Sequence, residues 1–90
     1  MVKKAEQSIM ELIAARQEKM SKGHKKIAEF ILEHGEDATF MTAAELGAKL
    51  GISESTVVRF ADKLGVGGYP DLQDKLQQWT RHKLYTGTTP

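Results

Sequence analysis

The segment TAAELGAKLGISESTVVRFADKL, residues 42–64, decides the fold of this chain. Its pattern predicts two short helices joined by a sharp turn, the arrangement of a helix-turn-helix. Thr42, with Glu45 three residues later, has the spacing of a capping box, and Ser53 is placed to cap the following helix. Gly51 lies in the turn, where we expect a positive φ that glycine adopts without steric cost.

The second helix of this motif, predicted to begin after Ser53 and to end near Leu64, divides into an apolar face and a polar face. Helical geometry turns one set of side chains inward and the opposite set outward. The inward set is Val57, Phe60, Ala61 and Leu64. The outward set is Ser55, Arg59 and Asp62, with Ser53, Glu54 and Thr56 exposed near the start of the helix. The polar face is therefore expected to be available to a partner.

The remainder of the chain also predicts helices, because strand-like alternation is absent and β-branched residues do not cluster in short runs. We therefore expect an all-α fold, a five-helix, bundle-like domain that contains the helix-turn-helix. Residues 5–17 carry a stripe of apolar side chains at helical spacing. Ser21 is placed to cap a second helix, which we expect to end at His34 and Gly35, with Gly35 as the C′ residue.

Two connections complete the predicted helical order. Residues 36–41 are expected to join the second helix to the third, with Phe40 and Met41 turned into the core. A glycine-rich loop is expected before the fifth helix, and Pro70 fits the first turn of that helix, where its missing N–H costs nothing.

Length and composition limit the class of protein. The chain has 90 residues, of which 40% are hydrophobic, and we expect one domain over residues 1–84 and a tail or linker over residues 85–90. No cysteine is present, which excludes disulfides and thiolate metal sites. No apolar run approaches the ~20 residues that span a membrane. Glu6 and Glu11 interrupt the N-terminal apolar stretch and argue against a secretory signal, so we expect a cytoplasmic protein.

Catalysis and cofactor binding have no support in the sequence. The three histidines, His24, His34 and His82, lie in charged helical surroundings, and none forms an i, i+4 pair with a third metal ligand. No phosphate-binding loop, dinucleotide fingerprint or serine-nucleophile motif is present. We expect each histidine to be solvated at the surface, and we expect a protein that is not an enzyme and that holds no metal or cofactor.

The charge balance leaves two hypotheses open. Thirteen lysines and arginines against twelve aspartates and glutamates give a net charge of +1, and residues 42–64 are themselves neutral. One hypothesis is a DNA-binding domain with few, well-placed cations that are assisted by backbone N–H groups and hydroxyls. The other is a helical protein–protein interaction module that does not bind DNA, which the neutral charge favours slightly because DNA-binding domains are commonly basic.

The DNA-binding hypothesis assigns contacts to particular side chains. The N-terminal end of the second helix of the motif would enter the major groove first, where hydroxyls can donate to phosphates or base edges. Arg59 can contact guanine through two hydrogen bonds, which discriminate by about 1–3 kcal/mol. The candidates on the groove side are Ser53, Glu54, Ser55, Thr56 and Arg59, and those for the phosphates are Lys63, Lys49 and Thr42.

Residues 25–76 resemble the N-terminal domain of the RpiR family of bacterial transcription regulators. The features that carry the resemblance, as a set, are STVVRF at residues 55–60, KLG at residues 63–65, a glycine-rich step, and Tyr69 before an acidic and leucine-bearing stretch. The resemblance implies an all-helical DNA-binding domain whose recognition helix falls on residues 54–64. One departure from the common pattern is Gly47, where alanine is frequent in helix-turn-helix proteins. Glycine costs up to ~1 kcal/mol of helix stability but permits a close helix crossing.

The resemblance also implies a setting for the domain. In the family, a sugar-isomerase-type domain usually follows and senses a phosphosugar. The α/β pattern of such a domain is absent from these 90 residues. We therefore expect a fragment of a longer regulator of sugar or amino-sugar metabolism, which binds double-stranded DNA but does not itself sense the phosphosugar.

The size of one module favours a paired arrangement on DNA. A single module buries only about 600–1,000 Å² on DNA, which is modest for a regulator. We therefore predict a homodimer on a palindromic operator, with half-sites about 10 base pairs apart or a multiple of that distance. The first and last helices are the expected dimer contacts, because a thin core is not expected to cover their apolar stripes completely.

Overall fold

The structure, a computed structural model, describes the backbone of residues 8–88 and the side chains of residues 8–82. Within this range the chain forms five α-helices and no strand, so the prediction of an all-α fold is confirmed. The helices are α1 (Ile9–Arg16), α2 (Lys22–Ala38), α3 (Ala43–Leu50), α4 (Glu54–Leu64) and α5 (Tyr69–Thr88), and a 3₁₀ turn (Gln17–Lys19) follows α1. None of the described helices combines the length and the apolar character that crossing a bilayer requires.

The core is a single apolar cluster to which every α-helix contributes. α2 contacts each of the other α-helices and therefore lies at the centre of the packing. Full burial of one such apolar side chain stabilises the fold by about 1.5–3 kcal/mol. The largest fully buried apolar side chains are Phe60, Ile13, Ile27, Ile31, Leu46, Leu72, Leu76 and Val57.

Each of the first four α-helices begins with an N-cap side chain that accepts a backbone N–H. The predicted caps are confirmed: Ser21 accepts the His24 N–H, Thr42 forms a capping box with the third residue of α3, and Ser53 caps α4. The predicted start of α1 at residue 5 is wrong. Ser8 is extended (φ −71°, ψ 159°) and forms its own capping box, so α1 begins at Ile9, and residues 5–7 lie outside the described range.

The predicted end of α2 is confirmed in part. The backbone leaves helical geometry at His34 (φ −131°, ψ 46°), where the helix is kinked, and a further helical segment continues to Ala38. Gly35 is not a C′ residue, because its φ is not positive. Its lack of a side chain serves packing instead: a Cβ there would collide with Met10 and would lie 2.8 Å from the Trp79 ring. Gly35 therefore allows α2 to approach α1 and α5 closely.

The connector between α2 and α3 turns a different residue inward from the one predicted. Phe40 is 76% exposed, so its predicted place in the core is wrong, whereas Met41 packs against the core as expected. Thr39 takes the buried position, and its hydroxyl lies 2.9 Å from the Gly35 carbonyl oxygen and 2.9 Å from the Thr80 hydroxyl. These polar partners satisfy a buried hydroxyl that would otherwise be costly.

α5 makes further hydrogen bonds to the same connector. The Tyr69 hydroxyl donates to the Met41 carbonyl oxygen at 2.6 Å, and the Gln73 amide donates to it at 3.0 Å. Burial of the phenol, with a smaller effect from Glu45, raises the pKa of Tyr69 to about 12, so the hydroxyl remains a donor. α5 therefore positions the residues immediately before the helix-turn-helix.

The turn between α3 and α4 has the predicted geometry. Gly51 is in the left-handed region (φ +73°), and the Ile52 N–H donates to the Gly47 carbonyl oxygen at 2.9 Å. Gly47 has a stricter role than the sequence indicated. A Cβ at this position would lie 2.8 Å from the Ile52 carbonyl oxygen, a backbone atom that cannot rotate away.

The C-terminal segment is more helical than expected. α5 continues to Thr88 and so occupies most of the segment that was predicted as a tail, while residues 89 and 90 lie outside the described range. The assignment of one domain to residues 1–84 stays a prediction.

Gly47→Ala is expected to lower the free energy of unfolding by about 1–3 kcal/mol, as overpacking does elsewhere. Alanine favours helix by up to ~1 kcal/mol, but its Cβ would push against the backbone of the turn. Urea unfolding followed by circular dichroism measures the change. The matched control is Gly23→Ala, where the Cβ would make an ordinary 3.4 Å contact with Thr56 Cγ2, so stability should not fall. Equal stability of the two variants would contradict a tight crossing of α3 and α4.

Candidate nucleic-acid interface

α4 presents its polar face outward and buries its apolar face, as the sequence predicted. Val57, Phe60, Ala61 and Leu64 are all buried in the core. The exposed side chains at the start and on the outer face of α4 are Ser53, Glu54, Ser55, Val58, Arg59, Asp62 and Lys63. A convex helix with this exposed face has the shape that enters a major groove.

Thr56 differs from its predicted exposure. It is half-buried, because its methyl group faces Gly23 at the start of α2. The Ser53 and Thr56 hydroxyls lie 2.8 Å apart, and the Ser53 oxygen also accepts the Thr56 N–H at 3.2 Å. One of the two hydroxyls therefore donates to the other, which leaves one O–H for an external acceptor. Ser55 adds a second exposed hydroxyl on the same turn.

The cations of α4 lie toward its C-terminal half. Arg59 and Lys63 are exposed and are four residues apart, so they lie on neighbouring turns of one face. Asp62 and Glu54 are also exposed on this helix, and their negative charges balance the two cations, so the net charge of α4 is zero. The Arg16 guanidinium donates to the Lys63 carbonyl oxygen at 3.1 Å, so α1 brings a further cation to the end of α4. The sequence pattern did not identify Arg16, because the two residues are remote along the chain.

The candidates on α3 are arranged separately from those on α4. Lys49 places its Nζ 5.9 Å from the centroid of the Phe30 ring, a cation–π contact with α2. Lys26 donates to the Leu50 carbonyl oxygen at 3.2 Å, so it contributes a second cation at the end of α3. The Thr42 oxygen accepts the Glu45 N–H at 3.1 Å within the capping box, which leaves its O–H as a donor.

Val58 belongs to the exposed face and was absent from the predicted set. It is 38% exposed and follows Ser55 by three residues, about one turn along α4. The sequence could have predicted this exposure, because Val58 directly follows the buried Val57 and helical geometry turns it away from the buried face of α4. An exposed valine offers apolar contact, which the methyl group of thymine can use in a major groove.

The histidines do not all lie at the surface. His24 is only 7% exposed, and its ring meets the edge of Phe60 at 5.7 Å, so the prediction of a solvated histidine is wrong there. Burial lowers the pKa of His24 below 6.5, the positive charges of Lys63 and Arg59 lower it further, and a backbone hydrogen bond at Thr56 opposes them. His24 is therefore a neutral core residue behind α4 at neutral pH.

The histidine and carboxylate side chains are dispersed over the described part of the chain. Among those residues, no group of three histidine, cysteine, aspartate or glutamate side chains is arranged to hold a metal ion. His34 is exposed and contacts the Phe30 ring at 5.3 Å. The exposed face of α4 and the cations around it form the candidate interface.

The lowered pKa of His24 predicts a loss of stability on the acid side of neutrality. Below pH 6.5 the unfolded chain takes up a proton that the folded state does not yet bind, so the free energy of unfolding decreases until the folded pKa is passed. Thermal melting from about pH 8 to about pH 5 measures this decrease. His24→Gln should flatten it, whereas the exposed control His34→Gln should retain it. An unchanged pH profile in His24→Gln would contradict the burial of a neutral imidazole.

Comparison with known proteins identifies the family of this fold. The sequence of this chain matches the family model for the helix-turn-helix domain of the rpiR family over residues 7–83. The transcriptional regulator HexR of Pseudomonas aeruginosa is 37% identical over 71 residues, which cover 79% of this chain and 25% of HexR. The uncharacterized regulator YfhH of Escherichia coli is 33% identical over 66 residues, which cover 73% of this chain and 23% of YfhH.

HexR of Escherichia coli gives a similar match, 32% identical over 71 residues that cover 79% of this chain and 25% of that protein. The chain thus spans about a quarter of the length of these relatives. Each of them is an HTH-type transcriptional regulator by name. The chain belongs to the rpiR family of helix-turn-helix domains, the DNA-binding domains of transcriptional regulators.

Proposed function

We propose that this domain reads a specific DNA sequence by placing the outer face of α4 in the major groove. The observation that carries the proposal is the division of α4, whose apolar face is buried while its polar, arginine-bearing face is exposed. α3 braces α4 through the close crossing at Gly47, so the exposed face is held rigidly. A rigid helix with one exposed polar face meets the geometric requirement of direct readout.

The side chains of α4 have different proposed roles. Arg59 reads guanine through its O6 and N7, and Glu54 accepts from the N4 amino group of cytosine. Val58 contacts the methyl group of thymine. Ser53, Ser55 and Thr56 supply hydroxyl donors near the N-terminal end of the helix, where Ser53 also keeps its role as a cap.

The proposed phosphate contacts come from the flanks of α4. Lys63 extends from the C-terminal turn of α4, and the Thr42 hydroxyl stands at the unpaired N–H groups of α3. Lys49 reaches a phosphate only if it leaves the Phe30 ring, a contact worth about 0.5–1 kcal/mol at an exposed site. Phosphate contacts of this kind set orientation, and the base contacts set specificity.

The proposed assembly on DNA is a homodimer on a palindrome, as the small area of one module favours. Ile9 and Ile13 of α1, and Leu72 and Leu76 of α5, are buried within the monomer, whereas Leu12 and Trp79 of the same stripes are only partly buried. Pairing through α1 and α5 stays a prediction. Half-sites about 10 base pairs apart remain the expected spacing.

The proposed whole protein follows from the family resemblance. We expect a sugar-isomerase-type domain that senses a phosphosugar, and control of genes for sugar or amino-sugar metabolism. Because the DNA of a bacterium lies in the cytoplasm, we propose that location for the protein.

Selection from a random duplex pool tests the proposed readout. The wild-type domain is expected to enrich a palindrome that contains guanine in each half-site. Arg59→Ala should weaken binding to that sequence by about 1–3 kcal/mol and relax the preference at the guanine, while the fold stays intact by circular dichroism. The control Arg81→Ala removes an exposed arginine of α5 and should leave binding unchanged. Failure to enrich any sequence at low salt would favour the protein–protein interaction module.

The dependence of affinity on salt tests the role of Lys63. The logarithm of the affinity should fall linearly with the logarithm of the salt concentration, because phosphate contacts release counterions. Lys63→Ala should make the slope shallower by about one unit and weaken all sequences alike. The control Lys75→Ala removes an exposed lysine of α5 and should not alter the slope. Equal slopes for the wild type and Lys63→Ala would exclude Lys63 from the phosphate contacts.

A further inference from the structure

A cavity of about 450 Å³ lies behind the C-terminal half of α4. Its walls come from the end of α1, the 3₁₀ turn, the first turn of α2 and the inner side of α4. This volume falls within the range of small-molecule sites, which are about 300–1,000 Å³. Because its walls come from segments remote in sequence, the cavity exists only in the folded domain.

The rim of this cavity is positively charged. Arg16, Lys19 and Lys63 line it, and no aspartate or glutamate is among its lining residues. The guanidinium of Arg16 is held in place by its bond to the Lys63 carbonyl oxygen at 3.1 Å, which leaves further N–H groups for a ligand. Three cations without a carboxylate in the same wall repel one another, and a bound anion would offset that repulsion.

The lining of the cavity combines polar and apolar surface in similar amounts. Met20, Phe60 and Leu64 form part of its wall, and the His24 ring stands edge-on to Phe60 at 5.7 Å. Burial, followed by the charges of Lys63 and Arg59, lowers the pKa of His24, which is consistent with a positive potential at this wall. Exposed cations beside apolar side chains favour a ligand that joins an anionic group to a hydrophobic body.

We propose that this cavity binds a small organic anion, a molecule that joins one carboxylate, phosphate or sulfonate group to an aliphatic or aromatic body. The anionic group would meet Arg16, Lys19 and Lys63, and the body would pack against Met20 and Ala15. Lys63 is shared with the proposed DNA-binding face, but the phosphate backbone of a duplex has no apolar part to contact Met20, so the proposed ligand differs in chemistry from DNA. Its position places the ligand against the buried side of α4.

Fluorescence titration without DNA tests the proposal. The probe is anilinonaphthalene sulfonate, which carries an aromatic body and one anionic group and becomes fluorescent in apolar surroundings. Saturable binding is expected, with weaker binding of phenylnaphthylamine, the matched neutral molecule. Lys19→Glu should weaken the sulfonate probe about five-fold, because it replaces attraction by repulsion near the surface. Arg16→Gln should also weaken it, which provides a second variant at the rim.

The control variant is Lys75→Glu, which changes the net charge by the same amount at an exposed position on α5. It should leave the affinity for the sulfonate probe unchanged, and thermal melting should show that all variants are folded. Binding of the probe should also raise the pKa of His24, followed by NMR of its imidazole, because a nearby anion favours the protonated ring. Equal affinity for the neutral molecule, an equal loss in Lys75→Glu, or an unaltered pKa of His24 would overturn the proposal.

Discussion

The close crossing of α3 and α4 is the constraint on which the rest of the structure depends. Gly47 has no side chain because the Ile52 carbonyl oxygen occupies the space that a Cβ would need. Gly51, with its positive φ, reverses the chain within a few residues and allows this approach. The crossing then sets the rotation of α4 about its own axis, so Val57 and Phe60 enter the core while the opposite face meets solvent. If α3 and α4 crossed less closely, α4 could rotate and its buried and exposed faces would no longer be fixed. The proposed DNA readout depends on that fixed orientation.

The other helices support this crossing by packing and by hydrogen bonds. α2 provides the central apolar surface, and α5 holds the connector that leads into α3. Tyr69 and Gln73 both donate to the Met41 carbonyl oxygen, and the buried Thr39 hydroxyl joins α2 to Thr80 of α5. These hydrogen bonds are buried or partly buried, and a buried polar group without a hydrogen-bond partner would destabilise the fold. The helix-turn-helix is therefore anchored at its entrance as well as along its buried face.

Electrostatics in this domain depend on placement rather than on total charge. The net charge is only +1, yet Arg16, Lys19 and Lys63 converge at the end of α4, and Arg59 lies one turn before it. Folding brings Arg16 to Lys63 across 47 positions of sequence. The positive surroundings act on His24, whose burial already disfavours its charged form. A domain of nearly neutral composition can in this way present both the proposed DNA-binding face and a cationic cavity.

The sequence by itself determined the helical class, the caps of α2, α3 and α4, the left-handed Gly51 and the inward face of α4. Each of these depends on neighbours within about one or two helical turns, and the motif at residues 55–60 added the family. Only the tertiary structure decided that Phe40 stays exposed while Thr39 is buried, that His24 lies in the core, and that the cationic cavity exists. Those outcomes depend on which remote segments meet, because burial and electrostatic potential arise from the packing of whole helices against one another.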